Sequence, residues 1–298
     1  MPVPEQRIVK SLQSLTSFAQ WRTRTAGNNL WYRGCGRFSY ALRPSLFRHR
    51  KTDIIDLLEQ ENQLINRFYQ RGYPFVQRQF ANNWTSSNNL GTGSGRDAEN
   101  NWERLFFMQH HGLPTRLLDW SESPFIALYF AVNSATGDDT GQYPEDAALW
   151  VFDPFGWNNF LHPNTGGEIG VFTPSSGSPL KHYVPISDPR RNLSSMLEPP
   201  VALYGTHNSQ RIVSQRGVFT VHGSNTDPLE QTYERHIRTI PSPAASFPDG
   251  LLVKLRIPRQ KIDRLKTALV EVGITDSVVY PDLDGLAKET KRFFEYNI

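Results

Sequence analysis

Residues 109–131, QHHGLPTRLLDWSESPFIALYFA, do most to limit what this chain can become. Two histidines, an arginine, an aspartate and a tryptophan stand directly against a run that is apolar on every side. Loops are normally polar and core segments are not. A stretch that is both holds polar groups rigidly against the core, as a binding or catalytic site requires. Pro114 has no N–H and biases Leu113 toward extended backbone, so residues 115–120 are expected as a strand. Ser121 or Ser123 then caps a helix with Pro124 at its first position, and residues 125–131 make that helix a buried one.

The flanking chain supplies strands and helices without strict alternation. Helices are expected over residues 11–26, 54–72, 98–111, 259–272 and 283–294, each from apolar positions three or four apart and a glycine, proline or capping residue at an end. In the second of these, Glu61 falls among the inward positions with Leu57, Leu58, Leu64 and Ile65. Strands are expected at residues 30–34, 147–152, 201–204, 218–221, 251–257 and 277–280, with a short helix or turn at 209–215. Residues 153–200 carry much Pro, Gly and Ser and few periodic segments, and no element is placed there. Residues 82–97, rich in Asn, Ser and Gly, read as a mobile loop, either a lid or an inserted surface loop. This pattern predicts one α+β domain over residues 1–298, with its core at about 28–295 and a mixed or mainly antiparallel sheet with flanking helices.

Composition excludes several classes. The chain has 298 residues with 32 basic and 29 acidic side chains, so its net charge of +3 is too small for a dedicated nucleic-acid coat, and any basic patch must be local. Its single cysteine, Cys35, rules out an internal disulfide and a cysteine-based zinc site, and fits a reducing, cytoplasmic location. Neither a leader-like apolar segment nor a run near the ~18 residues of a membrane span appears, so a soluble, unprocessed protein without membrane attachment is expected.

The standard chemical templates are also missing. No Walker loop, dinucleotide glycine fingerprint or G-x-S-x-G elbow occurs. His110 and His111 lie about 100° apart on a helix and lack HExxH or HxH spacing, so no metal site is expected. Arg33, Arg116, the histidines and the rings of Trp31, Tyr32 and Trp120 remain, a set suited to a phosphorylated or nucleotide-like ligand. Each has a structural alternative. Arg33, Arg116 and Asp119 could form buried ion pairs, Trp120 could belong to the core, and His110 or His111 could cap a helix C-terminus, where the dipole favours the protonated ring.

Four blocks occur in an order that resembles the FRG domain family: Trp31-Tyr32-Arg33-Gly34, the central block from Gln109 to Val132, residues 215–222 (QRGVFTVH) and residues 279–287 (VYPDLDGLA). Tyr32-Arg33-Gly34 stands for the Phe/Tyr-Arg-Gly motif that names the family. The resemblance implies a bacterial or phage protein that sits near defence or toxin components. A more distant likeness is to ADP-ribosyltransferases of the Arg-Ser-Glu type, which use an Arg on the first core strand, a Ser-bearing second strand and a later Glu to hold and polarise NAD.

That likeness implies an ADP-ribosyltransferase-like arrangement with NAD as substrate and no metal. Arg33, Tyr32, Thr115, Arg116, Trp120 and Ser121 would bind the nucleotide, and Arg33, Asp119, Gln215 and His111 would be catalytic. The departure is at the third element, where Gln215 stands for the expected carboxylate and cannot carry charge, leaving Asp119 to supply it. Three functions therefore stay open. The first is an NAD-using transferase or NAD-cleaving effector of a toxin or anti-phage system. The second is a nucleotide or nucleic-acid binding module without chemistry, and the third an RNA-cleaving enzyme using His110 or His111 with His222. A protein or nucleic-acid target is compatible with each, and the oligomeric state is not legible.

Overall fold

The computed structural model describes residues 7–26, 29–72, 96–161, 170–174, 180–185, 188–196, 199–205, 209–237, 250–294 and 296. The fold is α+β around a six-stranded sheet. The strands are β1 (Trp31–Cys35), β2 (Leu117–Ser121), β3 (Ala147–Phe152), β4 (Val201–Leu203), β5 (Gly217–Val221) and β6 (Leu252–Ile257), in the spatial order β4-β5-β2-β1-β3-β6. All neighbouring pairs are antiparallel. Among the described residues, parallel contact is confined to two isolated bridges, Ile8 with Arg256 and Phe172 with Leu203.

Pairing is uneven across the sheet. β1 is in register with β3 along its length, from Trp31 opposite Phe152 to Cys35 opposite Ala148. β2 is likewise in register with β5, from Leu117 opposite Val221 to Ser121 opposite Gly217. Between them, β1 and β2 meet at a single pair, Tyr32 opposite Ser121. The sheet is thus two three-stranded halves joined at one point, with a central seam that opens beyond it. Residues 33–35 and 117–120 face this gap.

Successive strand residues point to opposite faces, so each face of the sheet is set by every second side chain. One face carries Tyr32, Leu149, Val151, Val253 and Leu255 under α1 (Leu12–Ala26), α4 (Pro124–Asn133) and α9 (Ile262–Glu271). On the same face of the other half, Leu117, Phe219, Val221 and Leu203 pack with Trp102, Leu105 and Phe106 of α3 (Arg96–His110). The reverse face carries Trp31, Leu118, Trp120, Trp150, Phe152 and Val218 with Trp157 and Leu229.

α4 follows the expected design. Ser123 is its N-cap and accepts from the Ile126 N–H at 3.4 Å, Pro124 opens the helix, and Ile126 to Tyr129, Ala131 and Val132 are buried. Its closeness to β1 depends on two glycines. A Cβ on Gly34 would lie 2.0 Å from the Ala127 carbonyl oxygen and 2.4 Å from the Ala131 nitrogen, and one on Gly36 would lie 2.2 Å from the Ser134 carbonyl oxygen. Only hydrogen at these positions lets strand and helix backbones touch.

The structure departs from the sequence expectations in three places. Residues 276–279 are a short helix, α10 (Asp276–Val279), and not a strand, because Asp276 bonds Tyr129 and Arg292 and ties the segment to neighbouring helices instead of a sheet edge. Within residues 153–200, α5 (Pro154–Leu161) forms where no element was placed; Asp153 Oδ1 accepts from the Gly156 N–H at 2.9 Å and so organises its first turn. The expected mobile loop lies outside the described residues up to residue 95, and Arg96 and Asp97 already belong to α3.

The remaining α-helices among the described residues are α2 (Ile54–Gly72), α6 (Pro189–Asn192), α7 (Gln210–Ser214), α8 (Leu229–Ile237) and α11 (Leu283–Phe293). No helix among the described residues is long and apolar enough to cross a membrane.

Candidate functional site

A cleft of about 790 Å³ occupies the open seam. Its walls are β1 and the following turn, β2, the C-terminal end of α3, α4 and α7. It continues through the gap from one face of the sheet to the other, since its lining includes Asp119 and Ser121 from one face and Arg33, Cys35 and Trp120 from the reverse. The volume falls within the ~300–1,000 Å³ typical of small-molecule sites.

Arg33 and Asp119 bridge the seam. The Arg33 Nη1 donates to the Asp119 carbonyl oxygen at 2.5 Å and stands 3.8 Å from its Oδ2. The pair is open to solvent, with 20% of the Arg33 side chain and 56% of the Asp119 side chain exposed, so it is not a closed structural ion pair. Gln109 Nε2, at the end of α3, donates to Asp119 Oδ2 at 2.7 Å. The Gln109 Oε1 in turn accepts from the Thr115 hydroxyl, whose oxygen accepts from the Leu117 N–H at 3.1 Å. Asp119 is therefore aimed by a relay that begins in the buried backbone of β2.

The same threonine places the turn after β1. Thr115 N–H donates to Ser45 Oγ at 3.2 Å, and Leu46 N–H donates to the Thr115 carbonyl oxygen at 3.1 Å. The 3-10 turn Ser45–Arg48 is thereby held against β2, and its last residue, Arg48, lines the cleft. Thr115 itself is fully buried and does not line the cleft, so it is a positioning residue and not a ligand contact.

Arg116 does not reach the site. Its side chain is 0% exposed, its Nε lies 3.0 Å from both oxygens of Glu61, and its terminal nitrogens donate to the carbonyl oxygens of His222 and Tyr183 at 3.0 Å. The nucleotide-binding role expected of it is replaced by a scaffold role, since every fork of its guanidinium is engaged in the core.

Gln215 lines the cleft, but its Nε2 donates to the Val279 carbonyl oxygen at 3.1 Å, and its own carbonyl oxygen accepts from Ser121 Oγ at 2.7 Å. Its catalytic role is not supported by this geometry, because the amide is committed to α10. Ser121 lines the cleft and ties β2 to the end of α7. Trp120 is both core and wall, with its ring stacked on Phe152 at 4.9 Å, its Nε1 donating to Thr220 Oγ1 at 3.1 Å, and part of it facing the cleft. Tyr32 also lines the cleft, and burial pushes its phenol up to about 12, so it stays protonated.

The histidines divide. His110 lines the cleft and stands 3.4 Å from Ser209 Oγ, whereas His111 is exposed and packs on Phe107 and Phe68 outside the lining. Burial holds both rings below the ordinary histidine pKa, reinforced at His110 by His111 and Arg211 and at His111 by Arg211. Desolvation and cationic neighbours thus outweigh the helix dipole that would favour their protonated forms. His222 is fully buried against Phe47, and neither ring nitrogen has a hydrogen-bond partner among the described residues. It has no path to a substrate phosphate, which removes the paired-histidine arrangement needed for RNA cleavage.

Three arginines of the cleft were not singled out by the sequence. Arg43, Arg48 and Arg211 join Arg33, against Asp119 alone among the lining carboxylates of the described residues. Arg43 and Arg48 belong to a basic segment after β1, and Arg211 follows the Ser209 cap of α7, signals that mark exposed turns as readily as sites. Among the described residues, Cys35 is a buried free thiol in the cleft, and burial raises its pKa despite Arg33, Lys254 and Arg48. A protonated thiol is a poor nucleophile. No cluster of three or more His, Cys, Asp or Glu among the described residues could hold a metal ion.

A family model described as FRG domain matches residues 28–140. That span holds α2 and every wall of the cleft named above except α7. No match was found among curated proteins or among solved structures.

Proposed function

We propose, from the match of residues 28–140 to the FRG domain model, that the seam cleft binds NAD and that the protein cleaves its nicotinamide–ribose bond as a toxin or anti-phage effector. The observation that carries this reading is Asp119, the only lining carboxylate among the described residues, held by Arg33 and Gln109 in a cleft that also holds Arg43, Arg48 and Arg211. Guanidinium forks suit the dinucleotide phosphates. The carboxylate suits the positive charge that develops on the ribose as the bond to nicotinamide breaks.

In that step the C–N bonding electrons leave with nicotinamide. Water, or a hydroxyl or amine of a target, forms the new bond at the ribose carbon, and its proton passes to solvent. The carboxylate of Asp119 takes the electrostatic part that a later-strand Glu takes in the Arg-Ser-Glu enzymes, and Arg33 both orients it and faces the phosphates.

Incubation of the full chain with NAD tests the reading through nicotinamide release. Asp119→Asn removes the charge and keeps the shape, and release is expected to fall about 10²–10³-fold, the usual effect of losing one electrostatic stabiliser. Arg33→Ala is expected to lose both binding and release. Equal release from wild type, Asp119→Asn and Arg33→Ala would sink the proposal. Gln215 supports a second reading, a nucleotide-binding module without chemistry, because its amide is committed to Val279. Tight NAD binding with no release by wild type would select it.

A further inference from the structure

The turn that follows β1 carries more positive charge than the fold needs. Arg43 and Arg48 line the cleft beside Arg33, and none of the salt bridges found among the described residues involves either of them. The Arg48 Nε donates to the Arg43 carbonyl oxygen at 2.9 Å, which fixes the two residues side by side and leaves the terminal nitrogens of Arg48 for the cleft. The Arg43 Nε is enclosed and has no acceptor among the described residues. Burial lowers the pKa of Arg48, and the neighbouring charge of Arg33 lowers it further. Three guanidinium charges gathered in a cleft with the single carboxylate of Asp119 facing them are held at a cost that a bound anion lowers.

Their placement is built into the fold. Thr115 pins the 3-10 turn that ends in Arg48 to β2, and Gly34 and Gly36 bring β1 and Arg33 to the same seam. Arg33 is partly occupied by Asp119, so a single phosphate placed there would leave Arg43 and Arg48 unanswered. Two adjacent phosphates would answer all three.

We infer that Arg33, Arg43 and Arg48 form a subsite for a pyrophosphate group, so that the cleft selects ligands with at least two linked phosphates over monophosphates and nucleosides. Arg43 and Arg48 lie outside the motif that suggested NAD. The subsite deepens the NAD reading by naming what in the ligand is gripped, yet it does not depend on any bond being broken.

Calorimetric titration of the full chain at low salt with inorganic pyrophosphate, ADP, AMP and adenosine tests it. Pyrophosphate and ADP are expected to bind, AMP at least about tenfold more weakly, and adenosine hardly at all. Each substitution removes a charge-assisted hydrogen bond to the ligand, so Arg43→Gln and Arg48→Gln should each weaken pyrophosphate binding by about tenfold or more. Arg48→Lys keeps the charge and loses the planar fork, and is expected to fall between wild type and Arg48→Gln; it serves also if the Gln variant fails to fold. Arg50→Gln, next to the cleft segment but not in its lining, should change affinity less than about twofold on the scale of a screened surface charge.

Absence of pyrophosphate binding to wild type overturns the subsite, as does an equal loss in Arg48→Gln and Arg50→Gln, which would mark diffuse surface charge. Pyrophosphate binding that depends on Arg48, without nicotinamide release from NAD, would sustain the subsite and refute the cleavage reading. Release that is indifferent to Arg43 and Arg48 would do the reverse.

Discussion

Two arginines, Arg33 on β1 and Arg116 just before β2, show how differently one side chain can be used. Arg116 is sealed in the core with Glu61, and Arg33 faces solvent and Asp119 across the seam. The distinction was half legible. A glutamate at an inward position of α2 predicts a buried cation to meet it, and Arg116 is that cation, but sequence spacing does not say which arginine a glutamate 55 residues away will find. Removing one partner leaves an uncompensated buried charge, so Glu61→Ala is expected to destabilise the protein by about 3–5 kcal/mol in urea unfolding. Replacing both together, Glu61→Leu with Arg116→Met, should cost much less. A double variant as unstable as Glu61→Ala would contradict the scaffold assignment. Asp119 and Gln109, by contrast, sat within the one stretch that mixed polar groups with core, and that mixture was the signal for the site.

At the scale of elements, strands and long helices were readable because their apolar periods are strong, and five of the six strands expected outside the central stretch are present at or near their expected positions. The helix at residues 276–279 was misread because Val278 and Val279 favour strands, and a buried aspartate outweighed that preference. What no period could reveal is the seam. Its cause is local: glycines at 34 and 36 press β1 onto α4, and pairing with β2 stops after Tyr32.

Gly34→Ala would drive a methyl group into the backbone of α4 and is expected to cost at least about 2 kcal/mol, with loss of ligand binding at the cleft. Gly112→Ala is the control, since it meets nothing within 4 Å and has only its positive φ of 74° to strain, worth about 1 kcal/mol. Chemical unfolding of both variants checks the order. If Gly112→Ala proved the more damaging, the close approach of β1 and α4 would not be what fixes the seam.

For the whole molecule, the net charge of +3 hid a local excess of the same size, four arginines against one aspartate among the described residues of a single cleft. Average composition cannot report such a concentration, because charge is sorted in space by the fold. Acid stability is also a property of the whole chain, and here one residue should dominate part of it. His222 is fully buried beside the Arg116 guanidinium, and burial, followed by that charge, pushes its pKa down to about 3 from the ordinary 6.5. The native state therefore keeps the ring neutral in a range where the unfolded chain takes up a proton. Below about pH 6.5 the unfolded state binds more protons, so the histidine favours unfolding by about 1.4 kcal/mol for each pH unit down to about 3, and makes no such contribution above 6.5. Carboxylates add their own loss at the acid end in any variant, so the informative quantity is a difference in slope. In urea titrations between pH 7 and 4, His222→Leu is expected to lose stability with falling pH by about 1.4 kcal/mol per unit less than wild type, whatever its stability at pH 7. Parallel curves would mean that the ring finds a proton acceptor or water in the native state, and that the centre of the molecule is wetter than its packing implies.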